Sequence, residues 1–146
     1  MSTFRYNLLL TKTNGVRSGL LQFQRTTGTP LVDDTSPGSF ICVQVPTSLN
    51  TVLDETEILG QLVATTLGEG TFTDYQLGVL TKLVGGIETI TLVMKFFIDG
   101  TWQLGTVQDL AAFAAANPSL ATQIGTVQAD MDAAVDAANT AAGWIK

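Results

Sequence analysis

Histidine is absent from this chain of 146 residues, and cysteine occurs once, at Cys42. The lack of histidine excludes Ser-His and Cys-His catalysis, histidine general bases and most zinc sites. A single cysteine excludes an intrachain disulfide and a cysteine metal cluster, and its place in the apolar stretch FICVQV predicts a small buried residue. Phosphate-binding loops and dinucleotide-binding glycine patterns are also missing. We therefore expect a protein that is not an enzyme and that uses no cofactor or metal.

Charged residues are scarce as well. They make up 14% of the chain, against about 25% in an ordinary globular domain. Hydrophobic residues make up 45%, which supplies enough apolar material for a core. A monomer with so few charges has difficulty covering its surface, whereas the subunits of an assembly cover one another. The composition thus favours a subunit of an assembly, with a monomer of Ser-, Thr- and Gln-rich surface as the alternative.

Long apolar runs are missing too. The stretch MSTFRYNLLLTK contains too short an apolar run for a signal peptide. Residues 110–129 carry no charge, but Asn117, Pro118 and several Ser, Thr and Gln residues interrupt them. The sequence therefore predicts no membrane span.

The few charges are unevenly placed along the chain. The first 25 residues carry a net charge of +4 and contain no acid, whereas the remainder carries −10. One interpretation is a chance imbalance. The other is a basic arm, represented by Arg5 and Arg17, that contacts an acidic surface of a partner such as the next copy of the chain. Nucleic acid is a weakly supported partner, because four cations make a small phosphate footprint in an acidic chain.

The clearest local pattern is FRYNLLLTKTNGVRSGLLQFQR. Asn14-Gly15 is the preferred pair for a two-residue hairpin turn. That turn places Leu8 opposite Leu21 and gives one apolar and one polar face, with Leu9 and Leu20 as an apolar exception on the polar face. Turn chemistry and alternation agree on one register.

The middle of the chain gives mixed signals. Residues 26–39 predict a long loop, and FICVQVP predicts a strand that ends at Pro46. From Thr51, apolar residues at helical spacing predict a helix that ends near Gly68. TFTDYQLGVLTKLVGG also fits a helix, capped by Thr73, although a strand is a serious competitor. IETITLVMKFFIDGTWQLG predicts a strand to Ile98, a tight turn, and a second strand around Trp102.

The rest of the chain is predicted to be helical. One helix is expected to start at a Thr106 cap and to end before Pro118, and a second to be capped by Ser119. Small or apolar residues follow each other along the second helix in steps of four and three, which is an unbroken heptad seam. The seam consists of Leu120, Ile124, Val127, Met131, Ala134, Ala138, Ala141 and Ile145. We expect it to be a subunit interface, with packing on the chain's own sheet or preceding helix as the alternative.

These patterns predict an α+β fold. It comprises an N-terminal antiparallel β-hairpin and small sheet, with one or two short helices, in residues 1–105, and a helical segment in residues 106–146. The acidic groups around Asp33-Asp34, Asp54 and Asp130 are best explained as solvated loops and helix faces. Trp102 and Trp144 are expected to anchor the core or an interface.

The stretch QIGTVQADMDAAVDAANTAAGWI resembles the Ala-, Asp- and Thr-rich helices of bacteriophage structural proteins, notably tail-fibre-like segments. The order of elements is also similar to that of the coat proteins of small RNA bacteriophages, which pair an N-terminal hairpin and sheet with C-terminal helices. The resemblance implies a virion component of head or tail, made in the host cytoplasm, whose partners are copies of itself and other virion proteins. The alternative is a module that binds a glycan or receptor through Trp102, the Asp33-Asp34 loop or both.

Overall fold

The computed structural model describes residues 4–143, with the exception of the Ser48 side chain. The α+β prediction is confirmed: a curled antiparallel sheet carries all three helices. The strands are β1 (Phe4–Thr13), β2 (Val16–Thr27), β3 (Val32–Asp33), β4 (Phe40–Gln44), β5 (Tyr75–Val84), β6 (Ile87–Ile98) and β7 (Thr101–Val107). The helices are α1 (Asn50–Thr66), α2 (Leu110–Ala116) and α3 (Pro118–Ala142), and a 3-10 turn (Thr47–Leu49) precedes α1.

The predicted hairpin forms in the predicted register. Leu8 lies opposite Leu21, and Lys12 lies opposite Arg17. Asn14 and Gly15 both adopt positive φ, at 51° and 80°, as the two central residues of this turn require. The strand order is β3-β2-β1-β5-β6-β7, and β4 also pairs with β2. The two ends of the chain's strand order are therefore β7 on one side and β3 with β4 on the other.

Strand alternation separates the sheet into a helix-covered face and an uncovered face. All strand side chains in the buried apolar core belong to the alternate positions that point toward the helices. They are Phe4, Tyr6, Leu8, Leu10, Leu21, Phe23, Tyr75, Leu77, Val79, Leu92, Met94, Phe96 and Val107. The helices complete the core with residues such as Leu59, Leu110 and Ile124. A single apolar layer between sheet and helices thus holds the domain together.

Helix α1 forms where its apolar spacing predicts it. It ends at Thr66, and Gly68, which follows the C-cap residue Leu67, adopts a φ of 88°. Its Gly60 lies against the sheet, where an added Cβ would come within 2.8 Å of a Leu77 methyl group. This close approach brings the helix backbone onto β5 and explains a glycine in the middle of a helix, where it otherwise costs about 1 kcal/mol.

Of the two alternatives for TFTDYQLGVLTKLVGG, the helix does not form and the strand is confirmed, because this segment contains strand β5. Leu77, Leu80 and Val84 fit a helical stripe, but Tyr75, Leu77 and Val79 also alternate as a strand requires. Pairing with β1 on one side and β6 on the other decides in favour of the strand. Such long-range pairing is not visible in local spacing.

The C-terminal elements begin at other residues than predicted. Strand β7 runs to Val107, so Thr106 is a strand residue and the boundary placed between residues 105 and 106 cuts β7. Asp109 caps α2 by accepting a hydrogen bond from the Ala112 amide at 3.1 Å. Helix α3 begins at Pro118 rather than after a Ser119 cap, since Pro118 has no amide hydrogen to satisfy.

The buried stripe of α3 drifts away from the heptad seam. Its buried residues are Ile124, Val127, Met131, Val135 and Asn139. An α-helix has 3.6 residues per turn, so a seam with a period of 3.5 rotates by about 20° per heptad. Val135 is therefore fully buried, whereas Ala141 is exposed. Ile145, the last residue of the predicted seam, and Trp144 lie outside the described residues.

Replacement of Met131 should reveal how strongly α3 depends on its intramolecular packing. Met131 is buried, and its sulfur lies 3.8 Å from the Thr56 hydroxyl of α1. We expect Met131→Ala to lower the free energy of unfolding by about 2–5 kcal/mol, because it leaves a cavity between α1 and α3. Ala141→Gln, at the exposed end of the seam, should change it by less than about 0.5 kcal/mol. Urea denaturation followed by circular dichroism measures both, and equal effects would contradict the observed stripe.

Candidate interaction surface

The predicted basic arm finds its acidic partners within the same chain. Arg5 donates from Nε and Nη2 to the two carboxylate oxygens of Asp33, each at 2.7 Å. The other three cations also pair with acids: Lys12 with Glu57 at 3.0 Å, Arg17 with Asp54 at 2.6 Å, and Arg25 with Asp34 at 3.8 Å. Each of the four cations of the basic arm thus pairs with an acid from the later part of the same chain. Arg5 and Arg17 therefore contact acidic residues of their own chain.

The predicted interface seam also meets its own chain. Ile124, Val127 and Met131 are buried in the core, and α3 packs against α1. Leu120, Ala134 and Ala138 are half-buried against the same core, and only Ala141 among the described seam residues is exposed. This arrangement corresponds to the intramolecular alternative. Any surface that contacts a second copy, as the composition leads us to expect, would therefore lie elsewhere.

The face of the sheet opposite the helices, which we call the open face, is a candidate for that surface. Its apolar side chains include Leu9, Leu20, Leu80, Val93, Phe97, Trp102 and Leu104, with Val16, Val84 and Ile87 at the strand ends. Leu104 is 80% exposed and Trp102 is 44% exposed. The open-face positions of β1, β2, β5, β6 and β7 include Arg5, Lys82 and Lys95 and no acid. Helices α1 and α3 show the reverse, with three acids each and no base. The molecule therefore has an acidic helix layer and an uncovered, acid-poor sheet face.

A groove of about 430 Å³ lies on the open face between β1 and β7. Its lining includes Leu9, Val93 and Leu104, together with polar or charged groups of Thr11, Gln76, Lys95 and Thr106. Gly78 belongs to its floor, where a Cβ would come within 2.8 Å of a Val93 methyl group. The neighbouring strands can therefore bring their side chains together over the glycine. The result is a largely apolar depression with polar groups at its rim.

Trp102 lies on the open face and not in the core, the first of the two places that we expected it to anchor. Its ring centroid lies 5.3 Å from that of Phe97, and Lys95 Nζ lies 5.2 Å from the ring centroid. The Asp33-Asp34 loop belongs to the opposite end of the strand order. Trp102 and that loop consequently do not form one glycan site, and the Asp33 and Asp34 carboxylates are already paired with arginines.

Cys42 is exposed, contrary to the prediction of a buried residue. It lies opposite Gln22, between Ile41 and Val43, which pack against the core. Because alternate residues of a strand point to opposite faces, burial of these two neighbours places Cys42 on the open face. The composition of FICVQV could not reveal this, since its apolar residues occupy both faces.

An acidic cluster connects the sheet to α3. The Tyr6 hydroxyl donates to Asp132 at 2.8 Å, and Glu88 and Asp136 line the same small cavity. Burial and the nearby carboxylates raise the pKa of Glu88, and burial raises the pKa of Asp132 although the Tyr6 hydrogen bond opposes this shift. Burial also raises the pKa of Tyr6, which stays protonated and donates. The spacing of Asp130, Asp132 and Asp136 alone did not indicate this contact with β1.

A scan against protein-family models and searches of curated proteins and solved structures find no significant match to the chain. Within residues 4–143, no group of three or more His, Cys, Asp or Glu side chains is arranged to hold a metal ion. No helix of this part of the chain is both long and apolar enough to cross a membrane. The residues themselves therefore supply the argument for function.

The acidic cluster predicts a characteristic dependence of stability on pH. A carboxyl group whose pKa is raised on folding contributes stability that is fully present below its unfolded pKa of about 3.9 and is lost as pH rises through its folded pKa. Asp132→Asn keeps an acceptor for Tyr6 and removes the charge. We expect this variant to be more stable than the parent chain at about pH 7, and the difference to vanish at about pH 3.

Asp33→Asn provides a control of opposite sign. The hydrogen bonds from Arg5 lower the pKa of Asp33, so its contribution is present above the unfolded pKa and is lost as pH falls through the folded pKa. This variant should lose up to about 1 kcal/mol at neutral pH, as is typical of an exposed pair. Urea titrations at both pH values compare the two variants. A neutral-pH loss for Asp132→Asn as large as that for Asp33→Asn would refute the interpretation of the cluster.

Proposed function

We propose that this chain is a non-enzymatic structural protein that assembles with copies of itself. The observation that carries the proposal is the open face, where large apolar side chains are exposed beside an uncharged terminal strand, β7. Burial of apolar surface contributes about 25 cal/mol per Å². A partner that covers Leu104, Trp102 and the groove would remove this surface from water.

The distribution of charge supports the same assignment. The open face has no acid on its five long strands, whereas α1 and α3 carry six acids between them. Contacts through the sheet therefore keep the acidic helix layers of two copies from facing each other. Contacts between the helix layers of two copies would bring acidic side chains close to other acidic side chains. This uneven distribution of charge makes the sheet the favourable side for association.

The assembly that we propose is a bacteriophage virion, with the chain as a component of its head or tail. The support is the resemblance of the α3 stretch to helices of phage structural proteins. Its partners would be copies of itself and other virion proteins, and it would be made in the host cytoplasm. A coat protein of a small RNA phage is a narrower alternative. Helix α1, between β4 and β5, is an addition to the order of elements that this alternative implies.

A second candidate function is binding of a glycan or receptor on the open face. Trp102 offers an exposed aromatic ring beside a groove with amide, hydroxyl and ammonium groups at its rim, and such a combination is typical of small-molecule sites. Lys95 lies over the Trp102 ring and would have to move for a sugar to stack there. A glycan array separates the two functions. Binding that is lost in Trp102→Ala, by a chain that remains monomeric, would favour the second function over the first.

A matched pair of variants tests self-assembly directly. Thr106 lines the groove on the open face, and Thr122 is an exposed residue of α3. Thr106→Glu and Thr122→Glu change the net charge equally, but only the first places a carboxylate on the open face. We expect the parent chain to form oligomers and Thr106→Glu to weaken them about tenfold or more, because contact with a second copy would remove the added carboxylate from water.

Light scattering over a concentration series measures the masses, and thermal melting checks that both variants fold. Thr122→Glu should associate like the parent chain. A parent chain that stays monomeric at high concentration, alone and with other virion proteins, would overturn the proposed function.

A further inference from the structure

We propose that two copies of this chain pair through their β7 strands about a twofold axis, so that their sheets join into one. This inference rests on the self-assembly proposed above and names the surface that performs it. Strand β7 ends the strand order, and within residues 4–143 β6 is its only strand partner. Its outer edge therefore presents backbone donors and acceptors that a further strand can use.

The sequence of β7 lacks the features that usually keep such an edge from pairing. Natural edge strands are commonly protected by lysine, proline, inward-pointing charge or a bulge. TWQLGTV contains no charged residue and no proline, and its seven residues pair with β6 without interruption. Leu104, at its centre, is the most exposed of the large apolar side chains of the described chain. The edge is thus open to an antiparallel partner and is apolar at its midpoint.

An antiparallel pair of β7 strands is self-complementary when it is centred on Leu104. In that register Leu104 lies opposite Leu104 of the second copy, Trp102 opposite Thr106, Gln103 opposite Gly105, and Thr101 opposite Val107. No charge meets a like charge. The nearest cations, the two copies of Lys95, are three strand spacings apart, about 14 Å, which exceeds the screening length of about 8 Å at physiological salt.

The opposite edge of the sheet is a less suitable partner for β7. Strand β4 has five residues, and Pro46 follows it after one further residue. Pairing of β7 with β4 is also heterologous, and it produces open chains of subunits unless the rotation closes. The β7 pair is isologous and closes at two copies. The β7 pair also places the grooves of the two copies on either side of the twofold axis, because Leu104 and Thr106 of β7 line each groove.

Cysteine cross-linking tests the register. In a Cys42→Ser background, Leu104→Cys places a thiol opposite its own copy, and a short bifunctional maleimide should join two chains into a covalent dimer. Ile87→Cys in the same background is the control, because Ile87 is 71% exposed and lies at the β5–β6 turn, away from β7. It should give no covalent dimer after the same treatment. With Cys42 retained, covalent ladders from Leu104→Cys would indicate β7–β4 pairing and overturn the proposal.

A pair of charge variants tests the energetics. Leu104→Lys removes the central apolar contact and opposes two ammonium groups, so we expect the dimer dissociation constant to rise about tenfold or more. Ile87→Lys removes a similarly exposed apolar side chain elsewhere and should change it by less than about twofold. Sedimentation velocity measures both, with circular dichroism as the check of folding.

The outcomes separate this inference from the proposed function. An oligomeric parent chain whose association is unchanged by Leu104→Lys, and which gives no Leu104→Cys dimer, would refute the β7 pair and leave self-assembly standing. A parent chain that is monomeric at all concentrations would refute both.

Discussion

The burial of one face of the sheet under all three helices is the constraint on which the rest of the molecule depends. Because strand side chains alternate, the residues that enter the core determine which residues remain on the other side. The Asn14-Gly15 turn sets this choice for β1 and β2, since it places Leu8 opposite Leu21 on the helix side. A slip of one residue would exchange the two faces. The open face, with Leu104 at its edge, is therefore a consequence of the same register that builds the core.

Polar contacts orient the helices on this core more than they stabilise it. Lys12 and Arg17 reach Glu57 and Asp54 of α1, and Tyr6 reaches Asp132 of α3. Exposed ion pairs contribute at most about 1 kcal/mol each, so apolar burial supplies most of the stability. The pairs nevertheless explain the uneven charge of the sequence: the cations of the hairpin lie beside acids that occur later in the chain.

The sequence predicted the elements that depend on interactions between residues close together in the chain. The hairpin, α1, and the β6–turn–β7 unit follow from turn residues and apolar spacing. Strand β5 could not be distinguished from a helix, because Leu77 fits both the helical and the strand period and only pairing with the two neighbouring strands decides between them. The element that the α3 seam contacts could not be predicted either. The spacing indicates that Met131 is buried, but it does not indicate which element Met131 packs against. Leu9 and Leu20, the apolar exception on the polar hairpin face, were an early sign of the open face.

The charge distribution explains why the sheet, and not α3, is the better candidate for association. Single exposed apolar residues are normal on a protein surface, but here several of them, including Trp102 and Leu104, share one face that carries no acid on its long strands. If copies met through their helices, the acids of α1 and α3 would be brought close together, and only Glu57 and Asp54 among them pair with Lys12 and Arg17 of their own chain in the described residues. Side-by-side pairing of sheets leaves both acidic layers in water on the same side. The acids of α1 and α3 thus favour assembly at the sheet edge, because repulsion between them opposes association through the helices.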